Sequence, residues 1–569
     1  MSVIEQGVLP SGVVPSERQR VTVGQWMVHT ALLLALLFAT ARFVGPGIFT
    51  IDENAYQAQV DQLVDNDQWG IPYVAGQDGV ENRFAPLALS DVREDAWFPY
   101  AKHAAYPATI AAVTPLLPGR AAIGWSMASL VGLALVAGVA AERAGPRSGV
   151  ARPDGRLVFW LMASASPFLV HAHIGWAHLP ATLGVFVAVA AIARTERWSV
   201  LSAVLSGLGL GGAILLRTEA LLAAGGIVVA VSFLPRPRME RARWLATLAV
   251  VTISAFVVDR LLFRWATGSV TLAPTGNGDG ADGLVFERLQ ASIALFLDVG
   301  GQSPQHIARL LCAVLLLVAA VMVRRGRDLG LVVVLAVLAA SLGLFGALNG
   351  DAYPGLLAAW PLLAPSLVFV GTAARHRFAM TAVVSTWVLL VLTIPSDGGG
   401  LGWGGRLGLV TLAAAVPVVA DVLSGTLAAV RHDVGRSVVL VSALLASVAV
   451  SVAGLGTLSV AHETSLVVED EVSAVLDTFV GTDELLISTD RRLGRVAPDS
   501  AVRLPLQSLP DDGDLPEFLA ALADVTSVER IIHLDLFDHD LPRIPEGWRA
   551  GEPALEGSVR LIEITRDRS

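Results

Sequence analysis

Two adjacent carboxylates, Asp52 and Glu53, open the stretch Ile51-Asp52-Glu53-Asn54-Ala55-Tyr56, directly after an apolar segment. At a membrane surface such a pair could take a proton from a hydroxyl or hold a divalent cation. Acids in this position are also favoured by the dipole of a helix that starts there. Further on, residues 97–107 read WFPYAKHAAYP, and Lys102 is the only lysine among the 40 basic residues of the chain. Aromatic residues such as Trp97, Phe98, Tyr100 and Tyr106 belong at the headgroup level of a bilayer. An ammonium among them meets phosphate as a compact charge on a flexible stem, able to follow a moving group. Snorkelling to ordinary headgroups is the other reading, but arginine snorkels too, so it leaves the choice of lysine unexplained. His103 stands next to it.

Three more polar groups interrupt apolar sequence. Arg217-Thr218-Glu219 breaks the run 201–234. Ionisable groups this close to hydrocarbon are costly and point to function. The arginine can fork onto a phosphate, or pair locally with Glu219 across a hairpin turn. His171, His173 and His178 are spaced by two and five residues, but no carboxylate lies among them. His178, just ahead of Pro180, is therefore read as a hydrogen-bond donor to substrate and not as a metal ligand. The glycine-rich stretch from Asp397 to Arg406 permits close backbone approach. In it Trp403 could stack on a sugar ring and Arg406 could hold a phosphate; a flexible turn is the alternative.

The elements that must carry these groups are membrane helices. Of 569 residues, 54% are hydrophobic and 16% charged, with a mean hydropathy of +0.62. A run of roughly 20 apolar residues spans a bilayer as a helix. Such runs recur between residues 26 and 458 and give about thirteen spans, the first at 26–46 and the last at 437–458. The expected fold is an all-α polytopic membrane domain (26–460) behind a short N-terminal tail (1–25), with a large loop at 47–106. The stretch 104–119 is read as a helix lying in the interface that closes this loop.

Loops rich in arginine alternate with acidic, polar or glycine-rich ones. The positive-inside rule makes the arginine set cytoplasmic. The N-terminus is then inside, and every polar group described above is outside. Residues 461–569 form a small soluble α/β unit, also outside, with strands at 485–488, 530–536 and 559–564 and a helix at 515–523. Residues 462–569 hold 23 acidic residues against 10 arginines. No basic field for nucleic acid is present. The single cysteine, Cys312, excludes an intrachain disulfide and a cysteine metal cluster.

In order and in common side, these pieces resemble the GT-C class of membrane glycosyltransferases, which use polyprenyl-phosphate sugars. That class includes protein O-mannosyltransferases, aminoarabinose transferases and actinobacterial arabinosyltransferases. The shared features are the acidic pair Asp52-Glu53 followed by Tyr56, the stretch Pro99 to Pro107, Trp176-Ala177-His178-Leu179-Pro180, Leu216 to Leu221, and Trp403 to Arg406. The resemblance spans roughly residues 26–460, and the last three stretches look most like actinobacterial relatives.

The resemblance implies an inverting sugar transfer to a hydroxyl of a cell-envelope glycan, lipid or protein. It implies Asp52 as the base, with Glu53 assisting, and Lys102, His103, Arg217 and Arg406 on the donor phosphate. Tyr56, Tyr106, His178, Glu219 and Trp403 would line the substrate. Where many such enzymes carry a second acid, this chain has His171, His173 and Ala177, so no metal or other cofactor is expected. A divalent cation on the acidic pair is the variant of that reading. The rival functions are a transporter or flippase of a lipid-linked precursor and a non-catalytic assembly scaffold. No internal repeat of the kind transporters carry is visible.

Overall fold

A computed structural model of the chain describes residues 21–72, 91–93, 96–98, 103–143, 154–194, 198–234, 236–267, 304–348, 355–370, 377–393, 408–428, 433–482, 484–490, 492–501, 503–504, 506–509, 514–525, 529–536 and 544–567. Helix dominates. Among the described residues, seven helices are long and apolar enough to cross a bilayer, and four shorter apolar helices accompany them. Their outward faces carry large apolar side chains, such as Phe38 at 78% and Leu208 at 72% exposure. Water would penalise such a surface and lipid does not. The chain is a multi-pass membrane protein.

The first helix, α1 (Val23–Val44), starts at a Thr22–Gln25 capping box and stops at Gly45, whose φ of +90° no side-chain-bearing residue adopts easily. The large loop then folds as α2 (Ile51–Asn66), a small sheet of β1 (Ile71–Pro72), β2 (Asp91–Arg93) and β3 (Ala96–Phe98), and the short helix α3 (Ala105–Val113). That last helix matches the interfacial segment expected from the sequence, ending earlier, at a run of turns before Arg120. Then follow α4 (Ala121–Arg143), α5 (Gly155–Ser164), α6 (Ser166–His171), α7 (His178–Arg194), α8 (Val200–Leu216), α9 (Glu219–Ser232) and α10 (Arg238–Thr267).

Two of the expected spans are broken helices. The segment 157–174 divides into α5 and α6 at Ala165, because Pro167 cannot continue the hydrogen-bond ladder. The segment 355–373 likewise divides around Trp360 and Pro361. Interrupted backbone at membrane depth survives only where protein satisfies the freed groups. Here both breaks are buried, and serines of the terminal helix, Val434–Asp477, serve them. Ser447 Oγ accepts from the Leu362 amide at 2.9 Å, and Ser451 donates to the Ser164 carbonyl at 3.0 Å.

That terminal helix has 44 residues, roughly 66 Å at 1.5 Å per residue. It runs unbroken past residue 461 and supplies Val472, Val475 and Leu476 to the core of the C-terminal unit. The unit is α/β, as expected, with strand order β5-β4-β6-β9-β7 and β8 paired to β9. Its strands are β4 (Leu485–Ser488), β5 (Leu506–Ser508), β6 (Arg530–Leu536), β7 (Trp548–Ala550), β8 (Ala554–Glu556) and β9 (Val559–Arg566). β4 is parallel to β5 and β6, which the crossover helix Asp514–Val525 permits.

Close helix contact positions the site. A Cβ built on Gly184 of α7 would lie 2.4 Å from the Gly209 carbonyl of α8, and one on Gly209 would lie 2.4 Å from the Gly184 carbonyl. The two backbones touch, as small residues allow between membrane helices. We predict that Gly184→Val or Gly209→Val costs about 2 kcal/mol. Thermal melting in detergent checks this, and an unchanged melting temperature would count against the contact.

Candidate functional site

The site is built around the backbone of Gly175, in the turn between α6 and α7. Its amide donates to Glu53 Oε2 at 2.6 Å, and its carbonyl accepts from the Tyr106 hydroxyl at 2.7 Å. Glu53 Oε1 accepts from the amides of Phe49 and Thr50 at 2.9 and 3.0 Å, which ties off the free donors at the start of α2. Thr50 Oγ1 takes the indole N–H of Trp176 at 3.1 Å, and Ser126 of α4 donates to the Ile174 carbonyl. Tyr56 packs edge-on against Tyr106, with ring centroids 5.5 Å apart. Asp52-Glu53, Tyr56, Tyr106 and the Trp176–His178 stretch therefore form one connected structure. A Cβ on Gly175 would sit 3.0 Å from Glu53 Oε2 and 3.2 Å from Ala122, so any side chain there would push against the carboxylate.

The adjacent acids have different surroundings. Glu53 is buried, with both oxygens engaged by amides. Burial, helped by the Asp52 charge and opposed by the three amide donors, pushes its carboxyl up to about 7. Asp52 is partly open, at 37% side-chain exposure, and meets Arg495 of the C-terminal unit at 3.1 Å.

A second group joins on from α3. His103 Nε2 lies 2.9 Å from Thr218 Oγ1, and His103 Nδ1 lies 3.3 Å from Asp259 Oδ1. Thr218 is the middle of the 217–219 turn, where Arg217 Nε donates to Glu219 at 3.0 Å and a second guanidinium nitrogen bonds its other oxygen. The arginine thus makes the local pair that was one of its two readings. Asp259 is buried on α10 and also pairs with Arg260, whose guanidinium lies 5.3 Å from the Phe263 ring centroid.

The histidines diverge. His178 stacks near Trp176 with centroids 5.1 Å apart, whereas His173 bonds Thr40 of α1 at 2.9 Å. Among the described residues, no group of three or more His, Cys, Asp or Glu could hold a metal ion. The structure thus brings together Asp52, Glu53, Tyr56, His103, Tyr106, His178, Arg217 and Glu219. Lys102, Trp403 and Arg406 lie outside the described residues. A cavity of about 420 Å³ lies beside the site, walled by Phe49, Thr50, Asn54, the terminal helix and Arg492.

Three contributors escaped sequence reading. Asp259 left a trace, since Asp259-Arg260 is a charged pair inside an apolar run. Gly175 and Arg495 left none, because nothing near them in sequence names their partners.

No family model and no curated protein matches the sequence. Among solved structures the chain is similar to ArnT from Cupriavidus metallidurans in the apo state, with TM-score 0.45 and 14% identity over 95% of this chain and 98% of that one. It is similar to the same protein bound to undecaprenyl phosphate, with TM-score 0.46, 14% identity and the same coverage.

Two predictions follow from the Glu53 clamp. A carboxyl whose proton affinity is raised in the fold keeps its proton where the unfolded chain has already released it. Stability therefore falls as pH rises from about 4.5 through about 7. The contribution lost is ~3 kcal/mol. Melting temperatures across that range should fall in wild type, and this component should vanish in Glu53→Gln; parallel curves would refute the assignment. Gly175→Ala should lower the melting temperature at every pH, because the methyl displaces a carboxylate held at both oxygens.

Proposed function

We propose that this chain is a membrane glycosyltransferase of the GT-C class, moving a sugar from a polyprenyl-phosphate donor to a hydroxyl of a cell-envelope acceptor. The observation that carries the reading is the convergence of four sequence-distant segments in one contacting network: the start of α2, the His103–Tyr106 stretch, the Gly175–His178 turn and the Arg217–Glu219 turn. Each holds a residue type that lipid-linked sugar transfer needs. Alternation of arginine-rich and polar loops supports placing this face outside the cell, with the N-terminus inside and the C-terminal unit outside.

In this reading Asp52 is the base. The acceptor oxygen attacks the anomeric carbon as its proton passes to Asp52. The bond from that carbon to the phosphate oxygen breaks, and polyprenyl phosphate leaves with the electron pair. Inversion follows from attack opposite the leaving group. Glu53 assists by fixing the turn that carries Asp52. Lys102, His103, Arg217 and Arg406 meet the charge that develops on the phosphate, the largest source of rate in a water-poor site. Tyr56, Tyr106, His178, Glu219 and Trp403 shape the space for the donor sugar and the acceptor. This reading calls for no metal or other cofactor, these fixed cations meeting the leaving polyprenyl phosphate.

The test is transfer from radiolabelled polyprenyl-phosphate sugars to an envelope acceptor fraction by detergent-purified protein, with and without a chelator. We expect Asp52→Asn to lose ~100-fold or more and Lys102→Ala ~10- to 100-fold. Wild-type activity should persist in the chelator. Absence of transfer from any donor, with no co-purified polyprenyl phosphate, would favour a transporter or scaffold instead.

A further inference from the structure

Two short helices of the C-terminal unit, Leu493–Val496 and Pro498–Ala501, pack against α2, and the first carries the polar contacts. Arg495 Nη1 lies 3.1 Å from Asp52 Oδ1, across 443 residues of sequence. Beside it, Asn54 Nδ2 donates to the Val496 carbonyl at 2.9 Å and approaches Glu469 of the terminal helix at 3.5 Å. Asp52 and Asn54 thus engage one element from neighbouring positions of α2. The unit is not free to swing on a linker. The terminal helix is continuous into its core, where Val472 and Leu476 pack with Leu504, Ile532 and Leu534. The carboxyl ends of β4 and β6 lie on this side, since Arg492, just beyond β4, and Leu536, at the end of β6, line the cavity shared with Phe49 and Thr50. That edge of an open α/β sheet is where ligands are usually gathered.

The Arg495–Asp52 pair is not an ordinary surface contact. The arginine side chain is only 11% exposed. A guanidinium this buried needs a counter-charge and holds it in a defined direction through charge-assisted hydrogen bonds. Exposed pairs do neither. The one carboxylate of the acidic pair whose oxygens are not engaged by backbone amides is therefore oriented from the C-terminal unit.

Resting on the proposed function, we propose that Arg495 is a positioning residue for the Asp52 carboxylate, making the C-terminal unit part of the transfer site. It fixes the rotamer in which Asp52 can take the acceptor proton. Asp52→Asn then removes the base and the contact with Arg495 at the same time, so variants at Arg495 are needed to separate the two effects.

The experiment measures donor-dependent kinetics for Arg495→Met, Arg495→Lys and, as a control in the same unit, Arg503→Gln. Arg503 pairs with Asp477 at an exposed position, with side chains 52% and 51% accessible. Arg495→Met keeps the packing volume and should lower kcat ~10-fold or more, leaving the donor KM within ~2-fold, the pattern of a group acting in the transition state. Arg495→Lys should recover part of that loss, since it keeps the charge without the planar fork. Arg503→Gln should match wild type. Wild-type kcat in Arg495→Met, a donor KM that rises as kcat falls, or no recovery with lysine would each overturn the proposal. Should wild type itself transfer no sugar, the proposed function fails, and the contact is read instead by hydrogen exchange. Faster exchange at the first turn of α2 in Arg495→Met, but not in Arg503→Gln, would uphold the positioning of Asp52, and unchanged exchange would overturn it.

Discussion

One buried carboxylate holds the functional end of this protein together. Glu53 accepts three backbone amides, two from the turn into α2 and one from Gly175 between α6 and α7. Without it, the buried Gly175 N–H would face no acceptor, at a cost of the order of 1–3 kcal/mol, and the part-buried amides of Phe49 and Thr50 would lose theirs. Tyr106 closes the arrangement from the other side of the same glycine. The turn that presents Asp52, the aromatic wall at Trp176 and the start of α3 therefore move as one body. Asp52, its neighbour in sequence, is left partly open. Two adjacent acids thus differ in their surroundings, Glu53 buried among backbone amides and Asp52 partly open beside Arg495.

The charges of the site are fixed before any substrate arrives. Glu219 holds Arg217, Asp259 holds Arg260 and faces His103, and Asp52 meets Arg495. Such preorganisation matters more in a water-poor setting than in water, because fewer mobile solvent dipoles are there to screen the fixed charges.

The membrane imposes the second constraint. Breaks at Ala165 and around Trp360 leave backbone groups that lipid cannot satisfy. The terminal helix supplies Ser447 and Ser451 to those breaks and then continues out of the bilayer as a core element of the α/β unit. The same helix thus stabilises the interrupted spans and aims the C-terminal unit at α2.

The helical membrane class and the strands β4, β6 and β9 of the C-terminal unit were legible in sequence, because each depends on local periodicity; β5, β7 and β8, of three residues each, were not. Apolar runs specify membrane helices, and short β-rich runs between turn residues specify strands. Acids beside a span and a lone lysine among aromatics were legible for the same reason, since their oddity is local. The helix breaks were hidden, because a proline in an apolar run can kink, break or cap a helix, and burial by distant serines decides which. The division of roles within Asp52-Glu53 was hidden as well: both residues are acids in one turn, and only the arrival of Gly175 and Arg495 separates them. Sequence by itself determined which residue types stand at the membrane surface. Tertiary structure decided which of them are anchors and which are available, because a side chain's charge, exposure and direction are set by groups that lie hundreds of residues away along the chain and 3 Å away in space.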